Sequence, residues 1–304
     1  MKLNVWRKQQ DNINPKLIII IAIFAIIVIA VFLSDLTTIL SPCVGLIEIN
    51  GEITMERVPN SIFAEGMPNA EDIASTIKNV EKTKPNVKAL VVVINSPGGS
   101  VVGSRIIRES IKESKIPVVA YLSEVAASGG YYIATGSNYI IADPNTLTGS
   151  IGVIALFADA RQLLEKIGVN ITAVTTGKYK SMGSFFSGLS DDERAIVEQL
   201  LNESYNEFLD VILEGRKGKI TRERLLSIAD GRIMSGRQAK SYGLVDALGM
   251  KEDAIKKAKE LANLSSDDGV CNIKVRAGQS SLIFSESSSF ISSFINNFQG
   301  LKFK

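Results

Sequence analysis

The sequence predicts an α/β fold, with a mostly parallel sheet covered by helices and one N-terminal transmembrane helix. Three observations predict this architecture. From Val44 onward, short apolar runs alternate with segments of helical periodicity. The run Ala89–Ile94 is continuously apolar, which is typical of a strand buried on both faces of a parallel sheet. An uncharged aliphatic run, Leu17–Leu33, comes before all of them.

The N-terminal run is long enough to be a membrane anchor. At about 1.5 Å per residue it spans roughly 26 Å, close to the thickness of a bilayer core. Four basic residues and a single acidic one come before it, namely Lys2, Arg7, Lys8, Lys16 and Asp11. The positive-inside rule then predicts a single-pass protein of the cell membrane, with residues 1–16 cytoplasmic, 17–34 in the membrane and the rest extracytoplasmic. A cleaved signal peptide is the alternative, although its apolar region is usually shorter and no Ala-x-Ala site follows.

The exported part is predicted to be one domain over residues 44–262, followed by a C-terminal extension over 263–304. Extended segments are expected at Val44–Ile49, Ala89–Ile94, Pro117–Leu122, Tyr139–Ala142, Ile151–Leu156 and Val169–Thr175. Helices are expected at Asn69–Lys82, Ser100–Ser114, Gly129–Thr135, Asp159–Ile167 and Ser190–Glu214. The last of these opens with Ser190-x-x-Glu193, the pattern of a capping box.

Composition excludes several classes of function. The chain has no histidine, which removes Ser-His-Asp and Cys-His catalysis and the His-Glu-x-x-His metalloproteases. A net charge of +2 gives no indication of a nucleic-acid partner. The two cysteines, Cys43 and Cys271, have no spacing typical of a disulfide or a zinc site, so they are expected to be unpaired thiols. No metal and no cofactor is predicted.

Two glycine-rich turns follow predicted strands. Ser96–Gly99 comes after Ala89–Ile94, and Ala126–Tyr132 comes after the next strand. The carboxyl ends of strands are where functional groups collect in open α/β sheets, and glycines there let a substrate approach the backbone. Ser128 lies where a helix should begin, so nearby amide groups could stabilise an alkoxide or an oxyanion. Serine is also a favoured helix N-cap, and from these residues alone that structural role is the more common one.

Several segments, in the same order, resemble signal peptide peptidase A, a group of peptidase family S49 within the ClpP/crotonase superfold. The segments are NSPGGS (95–100), ASGGYYIA (127–134), TLTGSIGVI (146–154) and GRIMSGRQAKSYGLVD (231–246). The resemblance runs from about Val44 to Leu261. It implies a ClpP/crotonase-like fold and a serine endopeptidase that uses a Ser-Lys dyad to cleave hydrophobic peptides such as remnant signal peptides.

The resemblance also implies roles for individual residues. Ser128 matches the nucleophile, Lys180 in TTGKYKSMGS matches the general base, and Ser150 matches a serine that orients the lysine. The oxyanion hole would be the backbone N–H of Gly129 together with that of Gly98 or Gly99, a choice that the sequence leaves open.

A lysine general base must be neutral, which requires an apolar, water-poor site. The neighbouring Gly177, Met182, Phe185 and Phe186 are compatible with such a site. Lys178 is the rival base, two residues earlier in the same segment.

The two turns are expected to border a groove for an extended peptide, which would add to the sheet as a strand. One wall would hold Val101 and Val102, and the other Ile151, Gly152 and Val153. The expected partners are hydrophobic or signal peptides as substrate and membrane lipid around the anchor. The resemblance further implies a homo-oligomer in which neighbouring protomers contribute Ser128 and Lys180.

Three other functions compete with this prediction. A crotonase-type enzyme acting on acyl-CoA thioesters would share the fold, but it usually relies on Glu or Asp and would meet no CoA outside the cell. A membrane protease associated with stomatin-like proteins would use a similar Ser-Lys pair. The GRIMSGRQA segment and the Ser–Lys spacing favour the signal peptide peptidase A group, and the identity of the substrate would distinguish the two better. A non-enzymatic scaffold is the third, and the presence of Ser128, Ser150 and Lys180 together argues against it.

The C-terminal tail carries its own pattern. Phe290, Phe294 and Phe298 recur every four residues, which predicts a short amphipathic helix. This helix could pack on its own domain, on a neighbouring protomer or in the membrane interface. Serine and asparagine on its polar face make the membrane the least favoured of the three.

Overall fold

An eight-stranded sheet organises residues 41–56 and 68–275, which are the residues that the computed structural model describes. The strands are β1 (Cys43–Asn50), β2 (Val87–Ser96), β3 (Val118–Ala127), β4 (Tyr139–Ala142), β5 (Leu147–Gly149), β6 (Ile233–Ser235), β7 (Ala247–Leu248) and β8 (Gly269–Asn272). The helices are α1 (Ala70–Thr83), α2 (Val101–Lys112), α3 (Gly129–Ala134), α4 (Arg161–Lys166), α5 (Asp191–Gly215), α6 (Arg222–Leu226), α7 (Gly236–Tyr242) and α8 (Lys251–Leu261).

The strand order confirms the predicted mixed α/β class with a mostly parallel sheet. The main path runs β6-β5-β3-β2-β1-β8, and β4 pairs with both β3 and β7. Every pairing is parallel except that of β5 with β6. The predicted anchor and the amphipathic tail lie outside the described residues. Within residues 41–56 and 68–275, no helix combines the length and apolar character needed to cross a bilayer.

The central strand β2 is buried on both faces, as its sequence predicts. Leu90, Val92 and Ile94 belong to one apolar core, which the first three helices and α5 help to build. Val91 and Val93 face the opposite way, into a smaller core that α8 closes with Ala254 and Ala258. Burial of an aliphatic side chain of this size stabilises the fold by about 1.5–3 kcal/mol, so the two cores hold the sheet rigid under the turns that follow its strands.

The carboxyl ends of β2, β3 and β5 come together at one edge of the sheet. Ser96 pairs with Ala126, and Ala127 pairs with Gly149. The glycine-rich turn after β2 and the turn that carries Ser128 are therefore neighbours in space. This edge positions the candidate site.

Two predicted extended segments form no strand. Residues 151–156 and 169–175 lie outside the sheet, and several of their apolar side chains are open to solvent in the single chain. Ile154 is 80% exposed, Leu156 89% and Val174 94%. Their apolar character predicts extended segments, but no strand among the described residues pairs with them. Strand β8, in turn, falls in the segment predicted as a C-terminal extension.

The expectation of unpaired cysteines is wrong. Cys43 of β1 and Cys271 of β8 form a disulfide, with their Cα atoms 5.9 Å apart. The two strands pair in parallel, and Gly45 lies opposite Cys271. The spacing of the two cysteines along the chain does not indicate this disulfide, because 228 positions separate them and it is the sheet that brings them together.

The disulfide is expected to stabilise the fold substantially. Replacing both cysteines with serine should lower the free energy of unfolding by about 2–4 kcal/mol, because a bridge across a long loop restricts the unfolded chain. Urea unfolding of the solubilised full-length chain measures the change. Reductant should shift the unfolding midpoint of the wild type in the same direction and leave that of the double variant where it is. A double variant as stable as the oxidised wild type would contradict the prediction.

Candidate active site

Ser128 occupies the tight turn between β3 and α3. Its φ of 52° and ψ of −121° are rare for a residue with a side chain, and such conformations cluster at functional sites. The backbone holds it there, because its N–H donates to the Gly149 carbonyl at 2.8 Å and its carbonyl accepts from the Tyr132 N–H at 2.9 Å. The half-buried side chain makes no capping hydrogen bond. The hydroxyl is thus not used as the N-cap that sequence alone favours, and it is available for chemistry.

The glycines after β2 lie directly against this turn. A Cβ added to Gly98 would come within 2.9 Å of the Ser128 Cβ and 2.7 Å of the Gly129 nitrogen. Both Gly98 and Gly99 have positive φ, 103° and 141°, so a side chain at either position would strain the backbone as well as clash. Glycine is therefore required here by contact and by conformation.

Hydrogen bonding distinguishes Gly98 from Gly99, the two residues whose N–H group could complete the oxyanion hole with Gly129. The N–H of Gly98 donates to Ser96 Oγ at 3.1 Å, so it already has a partner. The N–H groups of Gly99 and Gly129 donate to no other residue in the described part of the chain. A Cβ on Gly129 would lie 3.4 Å from the Gly99 nitrogen, which places the two glycines side by side. The arrangement favours Gly99 as the partner of Gly129.

Ser150 is brought beside Ser128 by the pairing of β3 with β5. Each serine follows one member of the Ala127–Gly149 pair. Ser150 also has a positive φ, 49°, and its N–H donates to the Arg232 carbonyl at 2.8 Å. This hydrogen bond holds the turn that carries Ser150 against the residue that precedes β6. The two serines end neighbouring parallel strands, so both lie at the same edge of the sheet.

Lys180 does not line the pocket at Ser128 in the single chain. It is exposed, and its ammonium makes no hydrogen bond or ion pair with another described residue. The apolar enclosure expected around it is therefore absent from the single chain, as far as residues 41–56 and 68–275 go. The physical reason is that its segment is built mainly of turns and lies outside the two cores.

Lys178, the rival base, already forms an ion pair. Its Nζ lies 2.7 Å from Asp192 Oδ2 at the start of α5. The hydrogen bond to Asp192 raises the pKa of Lys178 above its ordinary value, which favours the charged form. A protonated amine cannot accept a proton, so this contact argues against Lys178 as a base.

A small pocket opens at Ser128, with a volume of about 30 Å³. Its lining residues are Gly99, Val101, Ser104, Ser128, Gly129, Tyr132, Gly152, Val153, Ser204 and Phe208. A larger cleft of about 490 Å³ adjoins it and shares Gly152 and Val153. Of the predicted groove residues, Val101, Gly152 and Val153 line the small pocket, the buried Ile151 lines the larger cleft, and Val102 lines neither.

The pocket also contains residues that sequence reasoning missed. Ser104 comes from α2, and Ser204 and Phe208 come from α5, far along the chain from Ser128. Their spacing on α5 is only the ordinary periodicity of a packed helix, so no motif could identify them. In the part of the chain that the structure describes, no group of three or more His, Cys, Asp or Glu residues is placed to hold a metal ion.

Comparison with known proteins gives consistent matches. The model of peptidase family S49 matches residues 110–265. A candidate protease of Synechocystis sp. is 42% identical over 197 residues, which cover 64% of this chain and 70% of the relative. A candidate signal peptide peptidase SppA of Enterococcus faecium is 33% identical over 263 residues, 84% of this chain and 72% of the relative. A mutant of the 1510-N membrane-bound stomatin-specific protease has a TM-score of 0.50 at 18% identity, with 77% of this chain and 98% of that chain covered, so the two share a fold.

Proposed function

Because the chain belongs to peptidase family S49 and is a serine protease, we propose that it is a membrane-anchored endopeptidase with a Ser128–Lys180 dyad. One observation carries the proposal. Ser128 is held in a strained turn with a hydroxyl that caps no helix, next to two N–H groups without acceptors in the described residues. A free nucleophile beside a ready oxyanion site is the arrangement that acyl transfer needs.

The proposed reaction proceeds in two stages. Neutral Lys180 accepts the Ser128 proton while Oγ attacks the peptide carbonyl carbon, and the N–H groups of Gly99 and Gly129 bind the oxygen that becomes negative. The lysine then protonates the leaving amine as the C–N bond breaks, which leaves an acyl-enzyme ester. Water attacks this ester with Lys180 again as base, and the returned proton regenerates Ser128. Ser150 orients the lysine amine.

Lys180 has to reach Ser128 from a second copy of the chain. In the single chain it lies in solvent, along a stretch whose apolar side chains are exposed, including Ile154, Leu156 and Val174. Exposed apolar clusters of this kind mark surfaces that associate. A homo-oligomer that covers this stretch would bury Lys180 and favour its neutral form. The active protein is therefore proposed to be a homo-oligomer with the dyad completed between protomers.

The proposed location is the cell membrane, with the catalytic domain outside the cytoplasm. The apolar run at 17–34 and its basic flank support the anchor and its orientation. The Cys43–Cys271 disulfide supports an oxidising compartment for the domain, since such bonds are rare in the cytosol. Hydrophobic peptides such as remnant signal peptides are the proposed substrates, because the anchor would keep the site where such fragments lie.

A charged, membrane-impermeant fluorophosphonate tests this proposal in oriented membrane vesicles. The reagent phosphonylates an activated serine, and mass spectrometry of the digested protein locates the adduct. We expect an adduct on Ser128 in vesicles whose extracytoplasmic face is outward. An adduct that forms only after detergent treatment would overturn the location, and one that never forms under either condition would overturn the serine mechanism.

A further inference from the structure

The segment that follows β1, residues 51–56, is bonded to the glycine-rich turn at the end of β2. The N–H of Ile53 donates to the Gly98 carbonyl at 2.7 Å, and the Ile53 carbonyl accepts from the Ser100 N–H at 2.7 Å. These two hydrogen bonds make a parallel bridge between Ile53 and Gly99. The residues on both sides of Gly99 are therefore held by a single residue of another segment.

This bridge determines the direction of the Gly99 N–H. In a parallel ladder, a residue whose two neighbours bond to the facing strand directs its own N–H to the opposite side. The Gly99 N–H thus points away from Ile53. The turn that carries Ser128 lies on that side, since the Gly99 nitrogen is 3.4 Å from a Cβ built on Gly129. Any movement of Ile53 would turn this N–H relative to Ser128.

The segment at 51–56 is in turn attached to the start of α1. Asn69 Nδ2 donates to the Met55 carbonyl at 3.0 Å, and the Ala70 N–H donates to the Thr54 carbonyl at 2.9 Å. Asn69 is only 4% exposed, and Ile53 and Ala70 belong to the same apolar core. The position of Ile53 therefore depends on the residues that begin α1.

The Asn69 side chain makes two separate contacts. Its Oδ1 accepts from the Asp72 N–H at 3.0 Å and so caps α1. Its Nδ2 donates away from the helix, to Met55. An N-cap needs only the side-chain oxygen, which serine and aspartate also supply. The amide nitrogen is thus the part of Asn69 that α1 does not require and that the segment at 51–56 uses.

We propose that Asn69 is a positioning residue for catalysis, which keeps the Gly99 N–H directed at the oxyanion through Met55 and Ile53. This inference rests on the proposed peptidase function. Asn69 does not line the pocket at Ser128, so it acts only through the backbone that it holds. The charge on the oxyanion develops in the transition state, so a displaced Gly99 lowers kcat and leaves KM unchanged.

Asn69→Ser tests the proposal in the full-length chain. Serine keeps a capping oxygen for α1 and removes the amide donor to Met55. We expect kcat to fall by about 10–100-fold, because loss of a whole oxyanion donor costs about 10²–10³ and displacement of one donor costs less.

A peptide aldehyde provides a readout that a merely structural role of Asn69 would not change. Ser128 Oγ adds to the aldehyde carbon while the serine proton passes to Lys180, and the aldehyde oxygen then occupies the oxyanion site. Asn69→Ser should weaken binding of the aldehyde by the same factor as kcat. The corresponding peptide alcohol, which forms no bond to Ser128, should bind as it does to the wild type.

Asn138→Ser is the matched control. Asn138 Oδ1 accepts from the Val118 N–H at 2.7 Å, at the start of β3. The substitution removes the same amide from a strand end, but at the edge of the sheet opposite Ser128. Its kcat and its affinity for the aldehyde should equal those of the wild type. Asn69→Asp, which also keeps the cap and lacks the donor, keeps the test open if Asn69→Ser fails to fold.

Fluorophosphonate labelling carried to completion counts the active sites, so that kcat is compared per labelled Ser128. Wild-type kcat and aldehyde affinity in Asn69→Ser would overturn the positioning role. Equal losses in Asn69→Ser and Asn138→Ser would overturn it as well, and so would a loss of kcat without a loss of aldehyde affinity. A wild type that neither labels nor cleaves peptides overturns the proposed peptidase function instead.

Discussion

Replacing Ser128 with alanine is expected to abolish peptide hydrolysis while the protein still folds. Loss of the nucleophile removes the covalent step, and in a serine protease this costs a factor of about 10⁶ in kcat. The fold should tolerate the change because the hydroxyl caps no helix, and alanine adopts the same positive φ as serine with no larger side chain. Peptide cleavage, fluorophosphonate labelling and thermal unfolding of the purified full-length chain measure the three effects.

Ser227→Ala serves as the matched control for this substitution. Ser227 is exposed at the end of α6, and its hydroxyl donates to the Arg224 carbonyl of its own turn at 2.7 Å. Both variants lose one serine oxygen, but only Ser128→Ala should lose activity. Residual hydrolysis above about a thousandth of the wild-type rate in Ser128→Ala, with no contaminating protease, would rule out Ser128 as the nucleophile.

Lys180→Ala is expected to reduce kcat by about 10²–10⁴, the usual contribution of a general base. Lys178→Ala should keep most of the activity. The Lys178 ammonium is paired with Asp192 and therefore does not act as the proton acceptor, so its removal leaves the general base in place. Wild-type activity should rise with pH toward mildly alkaline conditions, since only the neutral amine can take the Ser128 proton. Steady-state kinetics of the two variants across pH make the comparison.

Mixed oligomers provide the decisive control for the lysine. Ser128→Ala chains, inactive alone, and Lys180→Ala chains, of strongly reduced activity alone, should recover part of the wild-type activity when they are co-expressed, because a protomer with an intact serine can meet one with an intact lysine. If the Lys180→Ala chain were active and the Lys178→Ala chain inactive, the general base would be Lys178. Recovery of no activity in mixed assemblies of confirmed composition would place both residues of the dyad in one chain.

The local elements were largely predictable because their signals lie within a few residues of each other. The capping box at Ser190 and Glu193 is present, with the Ser190 N–H donating to Glu193 Oε2 at 2.9 Å. The apolar run of β2 is a buried central strand, and the helix predicted from Asn69 is α1, capped by the Asn69 side chain. Apolar runs were less reliable at 151–156 and 169–175, since hydrophobicity indicates that a segment needs a partner but not whether the same chain supplies it.

The α/β class can be predicted from the linear chain alone, and its motifs indicate the family and the turn that carries Ser128. These depend on short-range periodicity, on strand-ending glycines and on the absence of histidine, all of which are visible in the linear chain. Three features became visible only in the folded chain: the free amide beside Gly129, the meeting of Cys43 with Cys271, and the place of Phe208 in the lining of the pocket. Each of these is a contact between residues far apart in sequence, and their positions become defined only when the register of the parallel sheet and the packing of α5 are fixed.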